Sequence, residues 1–241
     1  MGYLEDTCRM PPVFVKIMLK IAHIESPFAT KFGVPRQAGL AGYRCRVVFE
    51  PEYRVAEAVR GLEEFDYVWL LWQFHRAERS GWSPTVRPPR LGGNRRVGVF
   101  ASRSPFRPNP IGLSAVRLLA VEILPDLGPT LLVEGADLVD GTPILDIKPY
   151  LPYADAHPEA RSGFAPDAPQ ATLMVEDPCG HLAALPPAER EALRQTLALD
   201  PRPHYQNDPT RTYGFPFGGH EVRFTVGDGI LTVQEVSVKK S

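Results

Sequence analysis

Phe100-Ala101-Ser102-Arg103-Ser104-Pro105-Phe106-Arg107-Pro108-Asn109-Pro110-Ile111-Gly112 runs directly into Leu113-Ser114-Ala115-Val116-Arg117-Leu118-Leu119-Ala120-Val121-Glu122-Ile123. The first part is too rich in proline for regular structure, because each proline fixes φ and removes a backbone donor. The second part, from Ser114 to Ile123, is dense in aliphatic residues and reads as a strand. A stiff loop feeding a strand is the pattern that decides the fold, and it recurs on both sides. Upstream, Tyr67 to Phe74 is aromatic and β-branched, as a buried strand requires. Arg44 to Phe49 alternates basic and apolar residues, and further strands are expected over Arg96 to Ala101 and Thr130 to Leu138. A first strand is expected within Phe14 to Ile24, with Ile17, Leu19 and Ile21 on one face. Val55, Val59, Leu62 and Phe65 fall at helical spacing and predict a short amphipathic helix over 55–65. Long loops are expected at Ile24 to Gly42, Ser80 to Arg95 and Ser102 to Ile111. Proline outnumbers glycine, 26 to 20, which favours short elements and fixed corners over a helical bundle.

Beyond Tyr150 the pattern changes. His157 to Gln170 is made of Ala, Pro and small polar residues and reads as a linker. A strand over Ala171 to Glu176 and a helix over Pro187 to Leu199 follow, the helix opening on a proline suited to its first turn. Val222 to Val226 and Ile230 to Val236 flank Gly227-Asp228-Gly229, a hairpin signal. The chain of 241 residues therefore divides into a lead-in at 1–15, a main domain at 16–157, a linker at 158–170 and a small C-terminal domain at 171–241. The expected class is mainly β, with short helices in the first domain and a small α+β second domain.

Charge is balanced overall, at a formal −1, and unbalanced locally. Residues 79–121 hold no Asp or Glu and eight of the 27 basic residues, which leaves 19 basic against 28 acidic elsewhere. Those eight are Arg79, Arg87, Arg90, Arg95, Arg96, Arg103, Arg107 and Arg117. Guanidinium groups grip phosphate and carboxylate bidentately and stack on bases, so the stretch suits an anion such as RNA or DNA. A solvated basic face, or arginines paired with distant acids, is the plainer alternative.

Other chemistries leave no trace. There is no apolar run of membrane-spanning length and no secretory pattern at the N-terminus. Cys8, Cys45 and Cys179 are isolated, which argues against a disulfide framework or a zinc site and fits a reducing cytoplasm. No metal site is expected. A phosphate-binding P-loop, a nucleophile elbow and the glycine-rich dinucleotide turn are absent. The six histidines are scattered, and a lone histidine is more often structural than catalytic.

Three loops look built for a ligand. They are Ser26-Pro27-Phe28 through Pro35-Arg36-Gln37-Ala38-Gly39, then Phe100 to Gly112, then Leu138-Val139-Asp140-Gly141-Thr142-Pro143-Ile144-Leu145-Asp146-Ile147-Lys148-Pro149-Tyr150. Rigid loops at strand ends hold polar groups in place, as a small-molecule site needs. With Ala58-Val59-Arg60-Gly61-Leu62, Trp82-Ser83-Pro84-Thr85-Val86-Arg87-Pro88-Pro89-Arg90-Leu91-Gly92-Gly93-Asn94, Leu151-Pro152-Tyr153, Asp200-Pro201-Arg202-Pro203 and Tyr205, these loops resemble the TsaA-like family, also called TrmO. The likeness runs through nearly the whole chain after the lead-in.

The resemblance implies a β-barrel methyltransferase joined to a small C-terminal domain and acting as a cytoplasmic homodimer. It implies S-adenosylmethionine as methyl donor and threonylcarbamoyl-adenosine at position 37 of tRNA as acceptor. The family's cofactor site falls on Pro35, Arg36, Gln37, His75, Arg76, Arg103, Leu113, Ala136, Asp137, Leu138 and Val139. Arg76 stands where a Gln is common. Arg36 or Arg103 suits the cofactor carboxylate, and Asp137 its ammonium or ribose hydroxyls. The acceptor nitrogen is acidified by its carbamoyl neighbour, so a modest base suffices; Asp137, Asp140, Asp146 and Tyr150 are the candidates. Arg87, Arg90, Arg95, Arg96 and Arg107 are expected to meet the phosphates of the anticodon stem-loop. Trp82, Phe106 and Tyr150 are candidates for stacking a loop base. Two other readings differ in class: a barrel that binds RNA without chemistry, and the same scaffold methylating another small acceptor.

Overall fold

The computed structural model describes residues 18–77, 82–88, 91–165, 172–202 and 208–238. The first part carries β1 (Ala22–Glu25), β2 (Arg44–Phe49), β3 (Tyr67–Gln73), β4 (Thr85–Val86), β5 (Val97–Gly98), β6 (Ile111–Leu124), β7 (Gly128–Glu134), β8 (Pro143–Pro149) and the single-turn α1 (Pro152–Asp155). Six strands close into a barrel in the order β1-β2-β7-β6-β3-β8. Every barrel neighbour is antiparallel, and the seam is the pairing of Ala22 with Ile144 and His23 with Pro143. Closure removes the exposed sheet edges that would invite aggregation.

Alternation fills the interior. Val68, Leu70 and Trp72 of β3 are buried, as are Gly112, Ser114, Val116 and Leu118 of β6. These face Leu131 and Val133 of β7 and Ile144 of β8 in one core. A bulge between Leu71 and Trp72 lets Leu70 pair with Ile147 and Trp72 with Ile144, so both isoleucines lie opposite inward-facing β3 residues. Cys45 is buried in this core, its thiol pushed up to about 12 by burial, whereas Cys179 is exposed. Cys8 lies outside the described residues.

The second part carries β9 (Met174–Glu176), α2 (Pro187–Ala198), β10 (Tyr213–Phe217), β11 (His220–Gly227) and β12 (Ile230–Val238). Its sheet runs β10-β11-β12-β9, with β9 parallel to β12. α2 buries Ala192, Leu193, Thr196 and Leu197. The hairpin between β11 and β12 turns on Asp228 and Gly229, both at positive φ, as a tight two-residue turn demands. The two parts share one core: Phe28 of the β1–β2 loop meets Phe217 at 5.3 Å and Phe215 at 6.4 Å between ring centroids. Burying a ring of this size contributes about 1.5–3 kcal/mol. The amide of Gly218 donates to the Pro27 carbonyl at 2.9 Å, and that of Gly42 to Gln195 Oε1 at 2.8 Å. The β1–β2 loop is thus clamped by the second part.

Several expectations are corrected. Residues 55–65 do not form one helix: they make two 3-10 turns, Ala56–Val59 and Leu62–Glu64, broken at Gly61 with φ of 85°. A left-handed residue ends a helix whatever the spacing of its apolar neighbours. The first strand begins only at Ala22 among the described residues. The strand expected over Arg96 to Ala101 is Val97–Gly98 followed by a 3-10 turn. Thr130 to Leu138 leaves the ladder after Glu134, and the third loop contains β8, which closes the barrel.

Candidate active site

A cavity of about 210 Å³ opens at the end of the barrel where the β1–β2, β3–β4, β5–β6 and β7–β8 connections meet. Lys31 and Val34 come from the first connection, and Trp72 to Ala77 from the end of β3 and the turn after it. Pro105 comes from the arginine loop, and Asp137, Leu138, Val139 and Thr142 from the segment between β7 and β8. That segment is pinned by backbone hydrogen bonds. Gly39 donates to the Gly135 carbonyl and Gly135 to that of Tyr43, both at 2.9 Å, and the Tyr43 hydroxyl donates to the Ala136 carbonyl. Ala136 is buried beneath, and Asp137 and Leu138 after it line the cavity.

Asp137 sits at the end of a buried relay. Trp72 Nε1 donates to Ser114 Oγ at 3.0 Å, and Ser114 Oγ donates to Asp137 Oδ1 at 2.5 Å. Burial raises the Asp137 carboxyl above the ordinary carboxylate value; the Ser114 hydrogen bond, the residue's own amide and the Arg103 charge act the other way without cancelling it. Gly112 makes the relay possible, because a Cβ there would lie 2.2 Å from the Trp72 ring.

Cations lie on the loops around the cavity, and the Arg103 charge acts on Asp137. Arg76 reaches the Ala29 carbonyl at 2.6 Å and the Asp140 carbonyl at 3.5 Å, and its Nε donates to His75 Nε2 at 3.1 Å. Lys31 donates to the Arg76 carbonyl. Arg103 donates to Gln37 Oε1, which joins the Pro35-Arg36-Gln37 loop to the arginine loop. Pro35 is buried, and Arg36 is exposed with its charge acting on Asp200. Burial works to raise the Asp200 carboxyl, yet a two-pronged contact from Arg202, at 2.8 and 2.9 Å, holds it below the ordinary value. The described part of the tail motif, Asp200 to Arg202, therefore reaches the same loop from the second part. Pro203 and Tyr205 lie outside the described residues.

Of the expected cofactor residues, His75, Arg76, Asp137, Leu138 and Val139 line the cavity. Gln37 and Arg103 join at its edge, and Ala136 packs below it. Leu113 is half exposed and points outward on β6, opposite Leu71 of β3. The four base candidates separate cleanly. Asp137 alone lines the cavity. The Asp140 carboxylate accepts from the Ser26 amide at 2.9 Å, stapling the loop after β1. Asp146 pairs with Lys148 at 3.0 Å. Tyr150 packs on Tyr67 and Trp69 toward the far end of β3, where Tyr67 stands five residues, about 17 Å of strand, from Trp72 in the cavity wall. Ser114, Trp72, Lys31 and Thr142 were not among the expected residues. Ser114 had a signal: it is a polar residue on the otherwise apolar inward face of its strand.

The arginine stretch forms a flap beside the cavity. Thr85 pairs with Gly98 and Val86 with Val97, so Arg87 and Arg96 follow the ladder side by side. Arg87, Arg95 and Arg96 are exposed, and no ion pair or side-chain hydrogen bond engages them among the described residues. Arg107 is half-buried and donates to the Ser102 carbonyl at 3.2 Å. Arg90 lies outside the described residues. Among the described residues no cluster of three His, Cys, Asp or Glu side chains is placed to hold a metal, and no helix is long and apolar enough to cross a membrane.

The chain matches the family model for the tRNA-methyltransferase O N-terminal domain over residues 23–156 and that for the TrmO C-terminal domain over residues 172–239. It belongs to the tRNA-methyltransferase O family. It is similar to the tRNA (adenine(37)-N6)-methyltransferase of Escherichia coli (strain K12), 45% identical over 218 residues, 87% of this chain and 92% of that protein. The protein of the same description from Eikenella corrodens is 47% identical over 174 residues, 71% of this chain and 97% of the relative. A crystal structure of TrmO from Pseudomonas aeruginosa superposes with a TM-score of 0.72 at 36% identity, covering 92% of this chain and 98% of that one. The barrel and the small sheet are thus the family's fold, and the cavity lies within the N-terminal match.

Proposed function

We propose that the protein transfers a methyl group from S-adenosylmethionine to the exocyclic nitrogen of threonylcarbamoyl-adenosine at position 37 of tRNA. The observation that carries this reading is the continuity of cavity and flap. One run of chain leads from the exposed arginines through Arg103, at the cavity edge, to Pro105 in the cavity wall. A small-molecule site and a polyanion surface are therefore neighbours.

The residues present suit the cofactor. It carries an ammonium, a carboxylate, ribose hydroxyls and an adenine, and the cavity offers a half-buried carboxylate among arginines. Asp137 accepts from the ammonium or the ribose hydroxyls, held in place by Ser114. Arg36 or Arg103 supplies the carboxylate's partner, and backbone groups of the Leu138 segment read the adenine edge. When bound, the cofactor supplies an electrophilic methyl group on a sulfonium. The chain's own task is positioning, since an in-line displacement gains most from alignment. The carbamoyl group acidifies the acceptor N–H, so its proton needs only a modest base. Arg87, Arg95 and Arg96, with Arg90 and Arg107, contact phosphates of the anticodon stem-loop. The protein acts as a cytoplasmic homodimer. Residues 16–157 serve as the catalytic domain and 171–241 as its support.

Titration calorimetry with S-adenosylmethionine tests the first half. Saturable binding, displaced by S-adenosylhomocysteine, is expected, and its absence in folded protein overturns the reading. Methyl transfer to tRNA bearing the threonylcarbamoyl group, and not to tRNA lacking it, tests the second half. Activity on unmodified RNA or on a free metabolite would sink the acceptor.

A further inference from the structure

The flap carries two large aromatic rings that the barrel chemistry leaves unused. Trp82 is 54% exposed and Phe100 is 72% exposed. Their centroids lie 6.3 Å apart with the planes inclined by 28°, a stacked arrangement. The backbone sets this pair. Beyond the β4–β5 ladder the Val99 amide donates to the Pro84 carbonyl at 2.9 Å, and the Val99 side chain is buried. Phe100, in the 3-10 turn after β5, and Trp82, in the segment before β4, flank that anchor and are both exposed. A solitary exposed ring is ordinary, but two stacked rings on an anchored hairpin form a preorganised apolar face.

What surrounds the rings selects the occupant. The exposed Arg87, Arg95 and Arg96 share the flap, and residues 79–121 contain no acidic side chain. A polyanion that also offers planar apolar faces fits this surface, and single-stranded RNA is such a ligand. The place fits too. Pro105 in the cavity wall is five positions beyond Phe100, so their Cα atoms lie within about 18 Å of each other. We propose that Trp82 and Phe100 form a stacking platform for an unpaired base of the RNA strand whose neighbouring nucleotide enters the cavity. This rests on the tRNA reading and extends it: the flap grips phosphates through its arginines and registers the loop through a base.

The experiment compares two RNA probes at one salt concentration, an anticodon stem-loop hairpin and a blunt duplex of equal charge. Duplex bases are stacked inside the helix and give the platform nothing to hold. In the full-length protein Trp82→Ala should weaken hairpin binding about 5- to 150-fold, the range for losing one base–aromatic stack. Phe100→Ala should act in the same direction. Both should leave duplex affinity and the salt slope unchanged, because no phosphate contact is lost. Trp82→Phe should restore most of the hairpin affinity. Equal losses on hairpin and duplex, or no loss on either, overturn the platform while leaving the tRNA reading intact. Wild-type protein that binds neither RNA overturns both. Sedimentation decides the remaining alternative: loss of hairpin binding accompanied by loss of assembly would place a second copy of the chain on these rings.

Discussion

The cavity wall at 135–142 and the arginine flap at 82–107 are adjacent, yet they are held by opposite means. In the wall nearly every polar group has a partner inside the protein: the Gly135 amide, the Ala136 carbonyl, the Asp137 carboxylate and the Thr142 hydroxyl are all engaged. In the flap the long cationic side chains of Arg87, Arg95 and Arg96 are exposed and without an ion pair among the described residues. The difference teaches what each region is for. A site that must position a small, polar molecule benefits from groups whose orientation is already fixed. A surface that meets a flexible polyanion gains from unpaired charge, because counterion release supplies affinity without fixed geometry. Substitutions in the wall should therefore change binding of the small molecule sharply, and those in the flap should change RNA binding gradually.

The largest effect is expected at Asp137. Asp137→Asn keeps the shape and one acceptor oxygen but removes the charge, and should weaken S-adenosylmethionine binding about 10- to 100-fold, the weight of a charged hydrogen bond. Calorimetry reads this directly. Two opposite pH dependences sharpen the test. Because burial raises the Asp137 pKa in the fold, its contribution to the ligand-free protein's stability is fully present below the unfolded value. That contribution is lost as pH rises through the raised, folded value. The stability of Asp137→Asn relative to wild type should therefore improve with rising pH across that window, while other carboxylates cancel in the difference. Cofactor binding runs the other way, since protonating Asp137 as pH falls removes the charge that pairs with the ammonium. A difference in stability that is flat with pH would mean that Asp137 is not buried in the way described.

Next in size is Gly112→Ala. The new methyl group would meet Trp72 at 2.2 Å and force the indole away from Ser114. Overpacking of this kind costs about 1–3 kcal/mol. Chemical denaturation should show it, together with weaker cofactor binding as the relay loosens. Unchanged stability would mean the barrel end yields more easily than a packed interior does.

Arg103→Ala follows. It removes the link to Gln37 and a charge that acts on Asp137. Cofactor affinity should fall about 10-fold, on the scale of one charged hydrogen bond. Affinity equal to wild type would take Arg103 out of the site.

The legibility of these regions in the sequence follows their physics. The strands of the barrel were readable where alternation or β-branched density was strong, as over Tyr67 to Gln73 and Ser114 to Ile123. β8 was hidden because Pro143, Asp146, Lys148 and Pro149 gave it the composition of a loop. It is nevertheless a strand because two neighbours, β1 and β3, supply its ladder. Residues 55–65 failed in the opposite sense, since apolar spacing cannot register a left-handed glycine. At the site, the loops were visible as stiff, polar and proline-rich, and Asp137, His75 and Arg76, named through the family likeness, line the cavity. What no pattern could give was the separation of the four base candidates. Asp137, Asp140 and Asp146 are close in sequence, yet one faces the cavity, one staples a loop and one pairs with Lys148. That choice is made by the turn out of β7 and the bulge in the β3–β8 ladder.

The smallest effects belong to the flap, and they test the other side of the comparison. Arg87→Ala and Arg96→Ala remove charges that no acidic partner neutralises among the described residues, so each should lower tRNA affinity only a few-fold at moderate salt. The diagnostic quantity is the slope of log affinity against log salt. Each lost phosphate contact should flatten it by about 0.9, the double variant by about twice that. Arg87 and Arg96 extend the paired ends of β4 and β5, and because each neutralised phosphate releases its own counterion their slope changes should add. Cofactor affinity should stay at the wild-type value throughout, since neither side chain lines the cavity. A slope that does not move would assign these arginines to solvent. A parallel fall in cofactor binding would instead mean that the flap and the wall act as one unit, erasing the contrast between them.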